Sequence, residues 1–102
     1  SLESVQPIRA LILNQNESLM AEYSKLSAEL RSQGVSVELY YTAAKLDKQF
    51  KYAESKGIPY AIIIGEQEAK DGKAQLKNLQ TREQEEVAQS ELAAKLQSKN
   101  FI

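Results

Sequence analysis

With 102 residues, 42% of them apolar and 26% charged, the chain has the length and composition of one folded domain, a fragment or stand-alone module, and not of a disordered segment. It contains neither cysteine nor histidine, which excludes a disulfide framework, a cysteine-ligated zinc and a histidine-based catalytic triad, so no metal site is expected. A net charge of -1 argues against a basic protein that coats nucleic acid, and any RNA binding has to rest on a local patch.

In chain order, residues 1–4 read as an interdomain linker or an expression remnant, and the domain as 5–102. Residues 5–13 (VQPIRALIL) are a nearly continuous apolar run of strand length, as in a central strand covered on both faces, with Pro7 at its start where a missing amide donor is tolerated. Asn14, Gln15, Asn16 and Glu17 form a short turn in which Asn16 suits a helix N-cap. Leu19, Met20, Tyr23, Leu26 and Leu30 then recur three or four apart, predicting an amphipathic helix that stops at Gly34.

Residues 35–40 (VSVELY) alternate strictly, as an edge strand does. Residues 45–56 make a second helix with Leu46, Phe50 and Ala53 on one side and Lys45, Lys48, Lys51 and Lys56 spread over the other. Gly57 and Pro59 end it, and residues 60–64 (YAIII) form a second strand buried on both faces. Gly65, Glu66, Gln67 and Glu68 read as a polar turn; after the Asp71-Gly72 pair, residues 74–80 return as an antiparallel strand. From Thr81 onward helix propensity alone predicts one helix over residues 82–98.

The order KLDKQFKYAESKGIPYAIIIGEQEAKDGKAQLKNLQT, with its GxxE turn after a buried strand, resembles the anticodon-binding domain of class II aminoacyl-tRNA synthetases. The KQFKYA and LKNLQTREQ segments are most similar to the C-terminal domain of the histidyl group. That resemblance implies a three-layer α/β/α fold with three helices and a mixed five-stranded sheet in the order 2-1-3-4-5, its fourth strand antiparallel. It also implies a hairpin at Thr81, Arg82 and Glu83, where Arg82 replaces the usual glycine, a strand over residues 84–88 in place of the helix that propensity favours, and a helix from near Ser90.

An open parallel sheet offers its crevice beyond the carboxyl ends of its strands, where strand order reverses. With the first and third strands as neighbours, Asn14, Gln15, Glu66, Gln67 and Glu68 gather there, with Lys77 and Asn78 of the fourth strand beside them. Amides and carboxylates suit the edges of unpaired bases, lysines such as Lys48 suit phosphates, and Tyr40, Tyr41 or Tyr52 suit stacking. The resemblance assigns anticodon contacts to Asn14, Glu68 and Lys77. Taken alone, Asn14 is a turn residue, Glu68 a solvated carboxylate and Lys77 an ordinary strand lysine.

No catalytic residue is expected. Glu66 and Glu68 are two acids in a surface turn with no enclosing pocket, and residues 14–17 hold no glycine-rich phosphate loop. The resemblance implies that ATP and magnesium belong to a catalytic domain elsewhere in a longer homodimeric histidine-activating enzyme. No apolar run reaches the roughly eighteen residues of a membrane span and no secretory pattern opens the chain, so a cytoplasmic protein is expected. Two other readings stay open: a non-catalytic regulatory relative in histidine biosynthesis, and a protein-interaction module docking through the lysine-rich helix.

Overall fold

The two unbroken apolar runs pair with each other at the centre of the sheet, where both faces of a strand are covered. β1 (Ala10–Ile12) and β3 (Tyr60–Ile63) are parallel neighbours in the register Ala10↔Tyr60, Leu11↔Ala61 and Ile12↔Ile62. β2 (Val37–Leu39) lies parallel on the outer side of β1, β4 (Lys73–Asn78) runs antiparallel beside β3, and β5 (Gln84–Ala88) antiparallel beside β4. The sheet order is β2-β1-β3-β4-β5 in this computed structural model, which describes residues 7–98. Residues 1–6 and 99–102, including the start of the expected first strand and the expected linker, lie outside the described residues.

Helices cover both faces. α1 (Met20–Ser32) follows a 3-10 turn, Glu17–Leu19, whose cap is Asn16: its Oδ1 accepts from the Ser18 amide at 3.0 Å. α4 (Leu92–Ser98) follows a second 3-10 turn, Gln89–Glu91. Tyr23, Leu26 and Leu30 of α1 and Leu92, Ala93 and Leu96 of α4 pack on Ile12, Ile62, Leu76 and Val87. On the other face α2 (Leu46–Ser55) sets Ala53, Leu46 and Phe50 against Leu11, Leu13 and Ala61. The result is the three-layer α/β/α arrangement.

The described residues hold four α-helices where three were expected, because residues 66–71 are not a turn. They form α3 (Glu66–Asp71). Gly65 is its N-cap, Glu68 Oε1 accepts the Gly65 amide at 2.8 Å, and Glu66 and Glu68 place negative charge at the positive end of the helix. Gly72 closes it in the left-handed conformation, φ 68°, which a side chain rarely adopts.

Propensity loses to pairing at the far end of the chain. Residues 84–88 are strand β5, bonded along β4 from Lys73↔Ala88 to Lys77↔Gln84, with Val87 as its buried side chain. Arg82 takes the position usually held by glycine, with φ 71°. The hairpin closes through Asn78, whose Oδ1 accepts from the Gln80 and Thr81 amides at 2.8 and 3.0 Å.

Candidate nucleic-acid interface

Strand order reverses between β1 and β3, and the chain leaves both at the same end of the sheet. Asn14, two residues past the end of β1, is only 4% exposed. Its Nδ2 donates to Glu17 Oε2 at 2.8 Å and to the Tyr41 carbonyl at 3.2 Å, so it ties the entry to α1 to the loop after β2. Its Oδ1 is buried and meets no hydrogen-bond donor among the described residues. Both amide protons being in use, Asn14 has no donor left for a ligand.

Gln15 stands exposed beside the start of α3. A methyl group on Gly65 would come within 2.9 Å of Glu68 Oε1 and 3.3 Å of Gln15 Nε2, which measures how closely these side chains converge on the glycine. Asn16 Nδ2 donates to Glu66 Oε2 at 3.3 Å across the same crevice. The structure therefore brings Gln15, Glu66 and Glu68 together with Asn16 as a ledge of amides and carboxylates. Tyr41 is 65% exposed on the β2 side of that ledge.

Two of the expected members stand elsewhere. Asn78 pairs with Tyr60 and through it lies level with Ala10, at the opposite end of the parallel strands, because β4 runs away from the ledge. There its side chain serves the hairpin, with Nδ2 also 3.4 Å from the Tyr60 hydroxyl. Lys77 pairs with Ala61, partway down the sheet, and its Nζ lies 4.9 Å from the centre of the Phe50 ring of α2. It thus joins the lysines of the α2 side, where Lys45 at the helix N-cap and Lys48 and Lys51 within the helix are exposed. Tyr52 is half-buried, its hydroxyl donating to Glu38 and its ring edge-on to Tyr40 at 5.4 Å. That hydrogen bond, more than burial, pushes the Tyr52 phenol above its ordinary value of 10.0.

One residue that sequence reasoning passed over is Gln49. It is fully buried on α2, with Oε1 accepting the Asn14 amide at 2.7 Å and Nε2 donating to the carbonyls of Asn14 and Ala44, each at 2.9 Å. The signal was present in its spacing, three after Leu46 and four before Ala53, on the face that points inward.

Chemically the ledge offers hydrogen-bonding groups of both senses and no enclosed cavity, with cations on the adjoining helix. Such a surface can read base edges and hold phosphates. The family model described as an anticodon binding domain matches residues 9–99. Over 90 residues the chain is 39% identical to the histidine–tRNA ligase of Nostoc sp., covering 88% of this chain and 20% of that protein. Among solved structures, histidyl-tRNA synthetase from Nostoc sp. matches with a TM-score of 0.87 at 38% identity, over 90% of this chain and 22% of that one. The RNA binding domain of threonyl-tRNA synthetase from Cryptosporidium parvum matches with a TM-score of 0.84 at 28% identity, over 95% and 24% of the two chains. This chain spans about a fifth of the length of the curated relatives it matches. A sheet of this order, helices on both faces and a match over nearly all of the sequence place the chain in the anticodon-binding domain family, with histidine–tRNA ligases among its relatives.

Proposed function

We propose that this chain grips the anticodon stem-loop of a tRNA and does so for a longer, homodimeric, cytoplasmic histidine–tRNA ligase, whose catalytic domain would attach histidine to tRNA(His). ATP and magnesium would act in that other domain. The turn over residues 14–17 has no glycine-rich loop and carries Glu17, which does not suit a nucleotide phosphate.

The observation that carries the reading is the convergence of Gln15 and Glu68 on Gly65 at the switch point of this family's sheet, with Glu66 bonded to Asn16 across the same crevice. In this reading Gln15, Glu66 and Glu68 bond to the edges of unstacked bases, Tyr41 offers a stacking surface, and Lys45, Lys48 and Lys77 hold the phosphates that set register. Base contacts then supply discrimination and phosphate contacts supply affinity.

The test is fluorescence-anisotropy titration of an anticodon stem-loop RNA against the same stem with a scrambled loop. Preference for the native loop is the expected result, and equal binding refutes the reading. Lys77→Ala should weaken binding to every loop alike and lower the steepness of the salt dependence by about one ion. An unchanged affinity and slope would remove Lys77 from the interface.

A further inference from the structure

We propose that Gln49 is the positioning residue of this interface: a buried side-chain amide that replaces the strand partner Asn14 lacks, and so fixes the base-reading ledge against the lysine-bearing face of α2. The inference rests on the anticodon-binding reading above and names what holds that site in shape.

Alternate residues of β1 point their backbone groups to opposite neighbours. The Leu13 amide donates to Ile62 of β3 at 3.0 Å, while the Ile12 carbonyl accepts from Tyr40, just past the end of β2, at 3.1 Å. Asn14 is next in turn to face β2. By then that strand has ended at Leu39 and its chain has turned off toward α2. The Asn14 amide and carbonyl are therefore left inside the protein without a strand to bond. Buried backbone groups in that state are costly, and proteins rarely leave them so.

Gln49 supplies the remedy. A glutamine side chain ends in the same donor and acceptor as a peptide unit, and Gln49 presents both to Asn14, as a neighbouring strand would. The second Nε2 proton goes to the Ala44 carbonyl, just ahead of α2. All of these partners lie on one orientation of the amide. Reversing it would set oxygen against oxygen at both Asn14 and Ala44. One side chain thus fastens the end of β1, the approach to α2 and α2 itself, 35 residues away in sequence.

What hangs from Asn14 is the ledge. Its side chain holds Glu17 and the Tyr41 carbonyl, and Gln15 follows it directly. What hangs from α2 is the row of lysines, with Lys48 adjacent to Gln49 and Lys45 one turn before it. With Gln49 in place the phosphate-binding helix and the base-reading edge move as one body, which is what discrimination between loops of equal charge requires. Without it, the cations stay where they are and the ledge loses its register.

The test uses the full chain and reads three things. In the wild type, hydrogen exchange at the Asn14 amide should be as slow as at Leu13, within roughly tenfold; exchange as fast as at Gln15 would overturn the clamp. Gln49→Met keeps the volume and removes the hydrogen bonds. Binding of this variant to the native stem-loop and to single-base loop variants should show the preference ratio falling by roughly tenfold, the scale of one lost base contact, with the salt slope unchanged. Gln49→Glu keeps an acceptor for the Asn14 amide but sets its other oxygen against the Asn14 and Ala44 carbonyls, so its preference ratio should fall at least as far as in Gln49→Met. If both affinities drop in parallel and the ratio holds, Gln49 has only a structural role and the proposal fails. If Gln49→Met does not fold, the wild-type exchange measurement decides. A wild type that does not distinguish the native from the scrambled loop sinks the anticodon reading itself, an outcome separate from a ratio that survives in Gln49→Met.

Discussion

Glu68 is a carboxylate that the fold uses and that the proposed interface would use as well. Oε1 accepts the Gly65 amide and starts α3, and in the proposed interface Oε2 is the oxygen offered to a base. Removing the side chain therefore has two separable consequences. Glu68→Ala should lower stability by about 1 kcal/mol, the usual size of a lost helix cap, read by urea unfolding. It should also lessen discrimination between anticodon loops more than it lowers affinity, read by competition binding. Preference for the native loop that is the same before and after the substitution would assign Glu68 to the fold alone. Asn14 has gone further toward the fold: with its amide protons on Glu17 and Tyr41 and its oxygen covered, it braces the ledge from beneath.

At the scale of elements, the hairpin between β4 and β5 carries the one identified backbone strain. Arg82 sits at φ 71° among the described residues, in a conformation that costs a side-chain-bearing residue about 1 kcal/mol relative to glycine. Its contact with Glu54, 3.7 Å between exposed groups, returns little. Arg82→Gly should accordingly raise stability by about 1 kcal/mol, seen as a thermal midpoint several degrees higher; a lower midpoint would mean that the Glu54 contact outweighs the strain. Legibility also varied element by element. The runs at β1 and β3 were plain in the sequence because burial on both faces leaves no alternation to misread. β5 was hidden, since QEEVA has helix-forming residues and only its pairing with β4 makes it a strand; family resemblance supplied what local propensity did not. α3 was missed because its six residues bury nothing fully, and a helix without an apolar face has no periodicity to detect.

Over the whole molecule the charges nearly cancel, but the carboxylates and the lysines of the proposed interface stand at different places. Glu17, Glu66 and Glu68 crowd the carboxyl ends of β1 and β3, while Lys45, Lys48, Lys51 and Lys77 line the α2 side. The sequence order was enough to foresee the gathering at the switch point, because topology alone brings Gln15 and Glu66 to one edge. It misplaced Asn78, since an antiparallel return strand carries its last residues away from the edge where it begins, to the level of Tyr60. The opposite end of the sheet has its own hollow of about 410 Å³ lined by Tyr60, Leu76, Asn78, Glu83, Gln84 and Glu85, whose acids disfavour phosphates. The two ends make a clean comparison. Titrating the isotope-labelled chain with an anticodon stem-loop RNA and following backbone amide resonances should shift Gln15, Tyr41, Lys48, Glu66, Glu68 and Lys77 and leave Glu83, Gln84 and Glu85 in place. Shifts concentrated around Tyr60, Asn78 and Glu83, with the ledge silent, would contradict the central claim.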